Sequence, residues 1–194
     1  QTNQTRETLM TDNLSPIQLI QHELTVRNSF LITSHASPDG DSIGSQLAMA
    51  CALEKLGKSV RIVNSDPVPE PYLSLPGIER IEIASTVNGE YDAAIVMECT
   101  DLARPQVDGL GHYFLINIDH HIGNKKYGAV NWFDPTAAAC GEMIYEIICG
   151  IGITLDREIA TYIYLCILTD TGSFRHSNVT SRTFEICRCL VDAG

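Results

Sequence analysis

Four separate stretches of the sequence carry acidic and imidazole side chains of the kinds that bind metal ions. These side chains belong to His35, Asp39, Asp41, Glu98, Asp119, His120, His121 and Asp170. Carboxylates held close together repel one another and raise each other's pKa, and divalent cations relieve that repulsion. Mixed carboxylate and imidazole ligands suit Mn²⁺, Mg²⁺, Fe²⁺ or Co²⁺ better than zinc, which prefers thiolates. A pair of such ions would activate water for attack on phosphorus.

The elements that must position these residues are short apolar runs. Apolar runs over 30–33, 91–97 and 113–118 predict three strands, and one of the acidic or imidazole stretches follows each strand. A predicted helix over 155–168 leads into Asp170. Because ligands in open α/β sheets bind outside the carboxyl ends of the strands, we expect one site at this edge of the sheet.

The alternation of strands and helices along the chain indicates the fold class. Further strands are predicted at 60–63 and 78–83, and further helices over 16–28, 43–56, 136–149 and 182–191. This pattern predicts an α/β, Rossmann-like fold with a mostly parallel β-sheet flanked by helices on both faces. We expect one domain over residues 15–194, preceded at 1–14 by a disordered leader or an artificial remnant.

Composition and charge exclude several classes of function. The 194 residues are 44% hydrophobic with a net charge of −11, which fits a globular core and argues against binding to duplex DNA. The sequence has no apolar run long enough to span a membrane, and we expect no signal peptide. Seven cysteines without a C-x-x-C pair predict buried free thiols. We therefore expect a cytoplasmic protein that does not contact a membrane.

Each candidate residue also has a purely structural interpretation. His35 would pack after a strand, and Asp39 and Asp41 around a glycine are typical of a turn or a helix cap. Asp170 would serve as a buried hydrogen-bond acceptor. The three consecutive residues Asp119, His120 and His121 directly follow a buried apolar strand, and a structural role alone explains them less well. Taken together, the four stretches favour a metal site.

Three of these motifs resemble those of a known family. The segments HASPDGDSIGS, IDHH and LTDTGSFRHSN are similar to the first, third and fourth signature motifs of the DHH phosphoesterase superfamily. VMECTDLARP occupies the place of the second, and the resemblance extends over residues 28–194. The segments NSDPVPEPYLSLPG and VNWFDPTAAACGEMIYEI resemble the nanoRNase/pAp phosphatase subgroup. The resemblance implies a DHH catalytic domain.

The resemblance also implies a set of metal ligands. His35 and Asp39 would bind a first Mn²⁺, and a second would be bound by Asp41, His120 and Asp170. The carboxylate of the second motif would bridge both ions. The implied cofactor is a pair of divalent ions, Mn²⁺ foremost, with Mg²⁺ or Co²⁺ as alternatives.

The bridging position departs from the family pattern. The family usually has aspartate there, and counting back from Arg104 places Glu98 in that position. Asp101 is the alternative ligand, although three residues further on its side chain is expected to point elsewhere. We favour Glu98, whose side chain is one methylene longer than that of aspartate.

Three further residues are assigned to the substrate side of the site. By resemblance, Asp119 would orient His120, and His121 would contact the substrate phosphate. Arg175 is a candidate phosphate contact because a guanidinium fork matches phosphate oxygens. Its alternative is a solvated cation in a loop.

The implied function is that of a metal-dependent phosphoesterase. Its substrates would be short oligoribonucleotides, 3′-phosphoadenosine 5′-phosphate, or both. The alternatives are a cyclic-di-AMP or linear dinucleotide phosphodiesterase, a pyrophosphatase or exopolyphosphatase, and a degenerate nucleotide-binding regulatory domain. Nuclease members of the family carry a C-terminal substrate-binding domain, which we expect elsewhere in a longer chain. A homodimer is a further expected assembly.

Overall fold

The computed structural model describes residues 14–194, so most of the expected leader lies outside the described residues. Within them the chain forms five α-helices and six strands. The helices are α1 (Pro16–Val26), α2 (Gly40–Lys55), α3 (Cys140–Gly150), α4 (Arg157–Asp170) and α5 (Ser181–Asp192). The strands are β1 (Ser29–Thr33), β2 (Ser59–Asn64), β3 (Ile81–Ile83), β4 (Ala93–Met97), β5 (Leu115–Asp119) and β6 (Val130–Phe133). Short 3₁₀ turns lie at Glu70–Tyr72, Ile78–Arg80 and Leu110–His112.

All six strands of the sheet run parallel, in the order β3-β2-β1-β4-β5-β6. In this register Ile32 of β1 lies between Ile62 of β2 and Ile95 of β4. The strand order reverses between β1 and β4, where a crevice opens at the carboxyl ends of the strands. The predicted parallel α/β fold is confirmed, and its switch point lies where His35 and Glu98 leave the sheet.

The two faces of the sheet are covered differently. Residues such as Phe30 and Ile32 pack into one core with side chains from all five α-helices. On the other face, Leu31 and Val96 pack against loops and the 3₁₀ turn at Leu110–His112. The expectation of helices on both faces therefore needs correction, because loops and one 3₁₀ turn cover the second face. Right-handed connections place the β4–β5 segment there, and its proline and glycines disfavour an α-helix.

Several element boundaries differ from the sequence prediction. Helix α2 begins at Gly40, earlier than predicted, because Asp39 caps it by accepting a hydrogen bond from the Ser42 backbone N–H. Strand β6 is absent from the prediction because its side chains are mostly half-buried and show no clear alternation. Helix α3 begins later than predicted, because the preceding residues form an extended loop.

Two glycines allow the helices around the site to pack at backbone distance. A Cβ atom at Gly44 of α2 would lie 2.5 Å from the carbonyl oxygen of Tyr162 in α4. A Cβ atom at Gly141 of α3 would collide with the Cβ of Cys166, also in α4. Helices α2, α3 and α4 therefore meet closely beneath the carboxyl edge of the sheet.

The remaining expectations concern the burial of the cysteines and the presence of a membrane-spanning helix. All seven thiols are free, and five of them are buried, as expected. Cys149 is exposed and Cys189 is half-buried, contrary to the expectation of burial. No helix among the described residues is long and apolar enough to cross a membrane.

Candidate metal centre

Four acidic and imidazole residues meet at the carboxyl edge of the sheet. This four-residue group consists of Asp41 in the first turn of α2, Glu98 after β4, His120 after β5 and Asp170 at the end of α4. One ligand atom from each lies within 4.8 Å of the others. The His120 Nε2 atom is 3.2 Å from Asp170 Oδ2 and 3.5 Å from Glu98 Oε1. It is 3.8 Å from Asp41 Oδ2.

Two atoms of this group are buried without a hydrogen-bond partner among the described residues. They are Glu98 Oε1 and His120 Nε2. Glu98 is 1% exposed and Asp41 is fully buried. Buried polar atoms without partners are rare in proteins, and these two face each other across a gap too long for a hydrogen bond of good geometry. The donor set and the two orphaned atoms fit a divalent metal ion.

Burial and the neighbouring charges within the group shift the pKa of two members. Burial and the nearby carboxylates of Glu98 and Asp170 hold the pKa of Asp41 well above its usual range. Burial alone would lower the pKa of His120, but the surrounding carboxylates raise it to about 12. In the metal-free protein, His120 therefore carries the positive charge that a bound cation would otherwise supply.

A backbone carbonyl, rather than a carboxylate, orients His120. Its Nδ1 lies 3.1 Å from the carbonyl oxygen of Ala137. Since a carbonyl oxygen only accepts, Nδ1 carries the proton and Nε2 faces the carboxylates. The expectation that Asp119 orients His120 is wrong. Asp119 instead binds His121, because its side chain folds back over the next residues of the loop and accepts from the His121 backbone N–H as well.

Asp119, His121 and Asn124 form a hydrogen-bonded chain beside the four-residue group. His121 Nδ1 donates to Asp119 Oδ1 at 2.9 Å, and Asn124 Nδ2 donates to Asp119 Oδ2 at 2.6 Å. Burial would raise the pKa of Asp119, but these two donors hold it below its usual range. The hydrogen bond to Asp119 also raises the pKa of His121, whose side chain is partly exposed. Sequence reasoning missed Asn124, whose only signal is a polar residue in the loop after His121.

A second candidate ligand group shares residues with the first. Glu98, His120 and His121 each offer a ligand atom within 4.8 Å of the others. The His121 Nδ1 atom lies 3.8 Å from Glu98 Oε2. Glu98 therefore directs one oxygen toward each histidine and connects the two groups.

His35 and Asp39 form a separate pair. His35 Nε2 lies 3.7 Å from Asp39 Oδ2, and its Nδ1 lies 2.8 Å from the Ala36 carbonyl oxygen. The Asp39 side chain is 50% exposed, and its Oδ1 caps helix α2. Among the described residues, neither His35 nor Asp39 belongs to the two ligand groups. The helix-cap interpretation of Asp39 is confirmed, and it leaves Oδ2 free of the cap.

Asp101 and Arg175 lie outside the four-residue group. Asp101 forms an ion pair with Lys125 and accepts a hydrogen bond from the Ala103 backbone N–H at 2.8 Å. The structure thus brings Glu98, rather than Asp101, to the site. Arg175 Nε donates to the Gly172 carbonyl oxygen at 2.7 Å, and within the described chain Arg175 forms no ion pair with the group.

The backbone at Glu98 adopts a conformation unusual for its residue type. Its φ angle is 60°, in the left-handed region that favours glycine. Ser173 and Phe174, shortly after Asp170, have φ angles of 60° and 63°. Backbone strain of this kind is retained where the surrounding structure enforces it, and it clusters at functional sites. The chain accepts this conformation at one member of the four-residue group, Glu98, and shortly after another, Asp170.

A parallel α/β domain with a carboxylate and histidine cluster at the carboxyl edge of its sheet is an architecture suited to binding a divalent metal ion. Residues 29–167 match the model of the DHH family, N-terminal domain, and the chain belongs to this family.

Relatives of known description support this family assignment. A Thermus thermophilus protein named bifunctional oligoribonuclease and PAP phosphatase NrnA is 33% identical over 87% of this chain and 51% of its own length. An Enterococcus faecalis protein described as a probable manganese-dependent inorganic pyrophosphatase is 22% identical over 85% of this chain and 55% of its own. The chain therefore spans about half the length of these relatives.

A solved structure shows the same fold. An exopolyphosphatase-related protein from Bacteroides fragilis superimposes with a TM-score of 0.83 at 24% identity. The match covers 92% of this chain and 56% of that protein. The parallel sheet and its helices are thus a fold already seen in part of a longer chain.

Proposed function

We propose that this domain hydrolyses phosphoester bonds in short oligoribonucleotides and in 3′-phosphoadenosine 5′-phosphate, with the help of divalent metal ions. The observation that carries the proposal is the four-residue group, with its two buried atoms that lack hydrogen-bond partners. The substrate class follows the name of the Thermus relative. The free buried thiols are in keeping with a reducing compartment, and we propose a cytoplasmic location.

Two ions are proposed, and manganese is the metal we favour. The four-residue group would hold one ion. His35 and Asp39, together with Glu98, would hold the other, which makes Glu98 the shared ligand. The mixed oxygen and nitrogen donors suit Mn²⁺, and the Enterococcus relative carries manganese in its description. Bound divalent cations neutralise phosphate charge and lower the pKa of a coordinated water.

His121 is the proposed phosphate contact. Its Nδ1 is engaged by Asp119, so Nε2 is the ring nitrogen left for a ligand. The raised pKa of His121 favours the charged imidazolium, which attracts an anionic phosphate. Arg175 is the second proposed contact, because among residues 14–194 only the Nε of its guanidinium is engaged and the other N–H groups are available as donors.

We also propose that a second, substrate-binding domain of the same polypeptide completes the site. The support is that the relatives are about twice as long as the matched region. Joining this chain to such a domain should raise kcat/KM for a dinucleotide much more than for a base-free phosphoester. Equal rates with and without the second domain would contradict this part of the proposal.

The decisive assay is Mn²⁺-dependent hydrolysis of a 5′-phosphorylated dinucleotide and of 3′-phosphoadenosine 5′-phosphate by the purified protein. His120→Ala should abolish product formation, because it removes a member of the four-residue group. His22→Ala, at an exposed histidine on α1, is the matched control and should leave the rate unchanged. Full activity of His120→Ala would overturn the proposal.

Inorganic pyrophosphate is the second candidate substrate. The description of the Enterococcus relative is the observation that favours it. Both reactions would use the same ligands, so the His120→Ala variant does not separate them. Hydrolysis of pyrophosphate without hydrolysis of the dinucleotide would favour the second candidate, and the reverse result would favour the first.

A further inference from the structure

Loop 134–141, which comprises the connection after β6 and the first two residues of α3, holds two members of the four-residue group through its backbone. Its Ala137 carbonyl oxygen fixes the ring of His120, as described above. Its end donates two backbone N–H groups to Asp41, from Cys140 to Oδ2 at 2.6 Å and from Gly141 to Oδ1 at 3.0 Å. Both carboxylate oxygens of Asp41 are therefore positioned by the first turn of α3.

The same loop is also tied to Asp170. The Asn178 side chain donates from Nδ2 to the Ala138 carbonyl oxygen at 2.9 Å and to the Asp170 carbonyl oxygen at 3.1 Å. Three of the four candidate ligands thus depend on where the backbone of loop 134–141 lies. Its displacement would move these three ligands relative to Glu98.

Arg182, in the first turn of α5, clamps both ends of this loop. Its Nη1 donates to Oδ2 of Asp134, the first residue of the loop, at 2.8 Å. Its Nε lies 3.5 Å from Oε2 of Glu142, directly after the loop, which is an ion-pair contact without a hydrogen bond. The same Glu142 oxygen accepts the Ala138 backbone N–H at 3.3 Å, and Glu142 Oε1 accepts from Thr183 Oγ1 at 2.6 Å.

The charge balance makes this clamp sensitive to loss of the cation. The Glu142 side chain is fully buried, while Arg182 is 26% exposed. A buried carboxylate that loses its cation is strongly destabilised, so the surrounding structure must move to hydrate it. The backbone free to move is that of residues 134–139, because the other elements around Glu142 are helices packed in the core.

We propose that Arg182 is a positioning residue for the metal centre: by clamping Asp134 and Glu142 it sets the backbone of loop 134–141, and through it the placement of His120, Asp41 and Asp170. Arg182 touches none of these three side chains. The inference rests on the proposed function, because it requires that the four-residue group bind a divalent ion.

The test is a metal titration of the whole chain with Arg182→Met, which keeps the apolar stem and removes the charge. Calorimetry with Mn²⁺ should show affinity about 10- to 100-fold below wild type, the usual effect of losing a group that orients a ligand. The visible absorption spectrum of bound Co²⁺ should also change, since it reports ligand geometry. Arg188→Met is the control, because Arg188 pairs with the exposed Asp192 on the same helix, and it should change neither readout.

A stability effect is separated from positioning by a third variant. Glu146→Gln removes the other carboxylate that pairs with Arg182, at 2.8 Å from Nη2, and leaves the loop contacts in place. It should lower the thermal midpoint without changing Mn²⁺ affinity or the Co²⁺ spectrum. All titrations are performed well below the midpoint of each variant. Equal losses of affinity in Glu146→Gln and Arg182→Met would overturn the inference.

The remaining outcomes separate this inference from the proposed function. A wild-type protein that binds no Mn²⁺ or Co²⁺ would overturn both. Wild-type binding together with unchanged affinity and spectrum in Arg182→Met would overturn the positioning role and leave the proposed function standing. If Arg182→Met does not fold, Arg182→Lys is used, because lysine keeps the charge but cannot bridge two carboxylates as a planar fork. Weaker Mn²⁺ binding by Arg182→Lys would support the inference, and unchanged binding would overturn it.

Discussion

The four-residue group and the pair formed by His35 and Asp39 were predicted as parts of one centre, yet they are built differently. The group is delivered by α2, the ends of two central strands and the end of α4, and its ligand atoms already lie within 4.8 Å of one another. In the pair, Asp39 is half-exposed and also caps a helix. The difference teaches that one of the two proposed ions would find a preformed site, whereas the other would have to draw its ligands together.

The largest expected effect comes from breaking the preformed site. Asp170→Asn keeps the shape of the side chain and removes its charge, so Mn²⁺ affinity should fall by more than about 100-fold, beyond the loss caused by an orienting group. Calorimetry measures it, with Asp192→Asn at the exposed end of α5 as the control. Wild-type affinity in Asp170→Asn would mean that the four-residue group is not the tight site.

Changing Asp39 in the His35–Asp39 pair should weaken the binding of the second ion only. Asp39→Asn keeps the helix cap, since asparagine caps as well as aspartate, and should weaken the second binding event by about 10- to 100-fold while the first is unchanged. Asp39→Ala should in addition lower the free energy of unfolding by about 1 kcal/mol through loss of the cap. Urea unfolding of the metal-free variants separates the two effects, and weakening of the first event by Asp39→Asn would contradict the comparison.

Binding of the first ion should release a proton. The pKa of His120 is about 12 without metal, so Nε2 is protonated at neutral pH and must lose that proton to bind a cation. Raising the pH therefore strengthens binding, by about tenfold per pH unit for each proton released. Calorimetry at one pH in two buffers of different ionisation enthalpy counts the protons. Equal heats in both buffers would contradict this prediction.

The smallest expected effect concerns the residue that joins the two regions. Glu98→Asp places in the left-handed region a residue type that tolerates it better, so the metal-free protein should gain less than about 1 kcal/mol of stability. Its shorter side chain should also withdraw from His121. Urea unfolding gives the stability change, with Glu185→Asp on α5 as the control. A stability loss in Glu98→Asp would show that the glutamate packing outweighs the backbone strain.

The sequence predicted the mostly parallel sheet, and the four residues that meet at its carboxyl edge were among the six predicted metal ligands. Their binding of a metal ion stays a prediction. It also favoured Glu98 over Asp101, and the structure brings Glu98 to the site while Asp101 pairs with Lys125.

The sequence could not predict contacts that depend on the direction in which a side chain points or on a backbone group. The partner of Asp119 is set by how the chain turns after β5, which residue types alone do not specify. The carbonyl oxygen that orients His120 belongs to an alanine, whose side chain carries no chemical signal. Arg182 lies far along the chain from Asp134, so only the tertiary structure brings them together.

The absence of a side chain at Gly44 has a consequence for which metal ion the proposed centre would prefer. Helix α2 carries Asp41 and α4 carries Asp170, and at Gly44 the two helices meet with no room for a methyl group. The width of the opening between these two carboxylates is thus a property of the hydrophobic core rather than of the ligands. A Cβ atom added at position 44 would push the two helices apart where they cross. The spacing between Asp41 and Asp170 would then change, and with it the preference between a larger and a smaller ion, although every candidate ligand would still be in place.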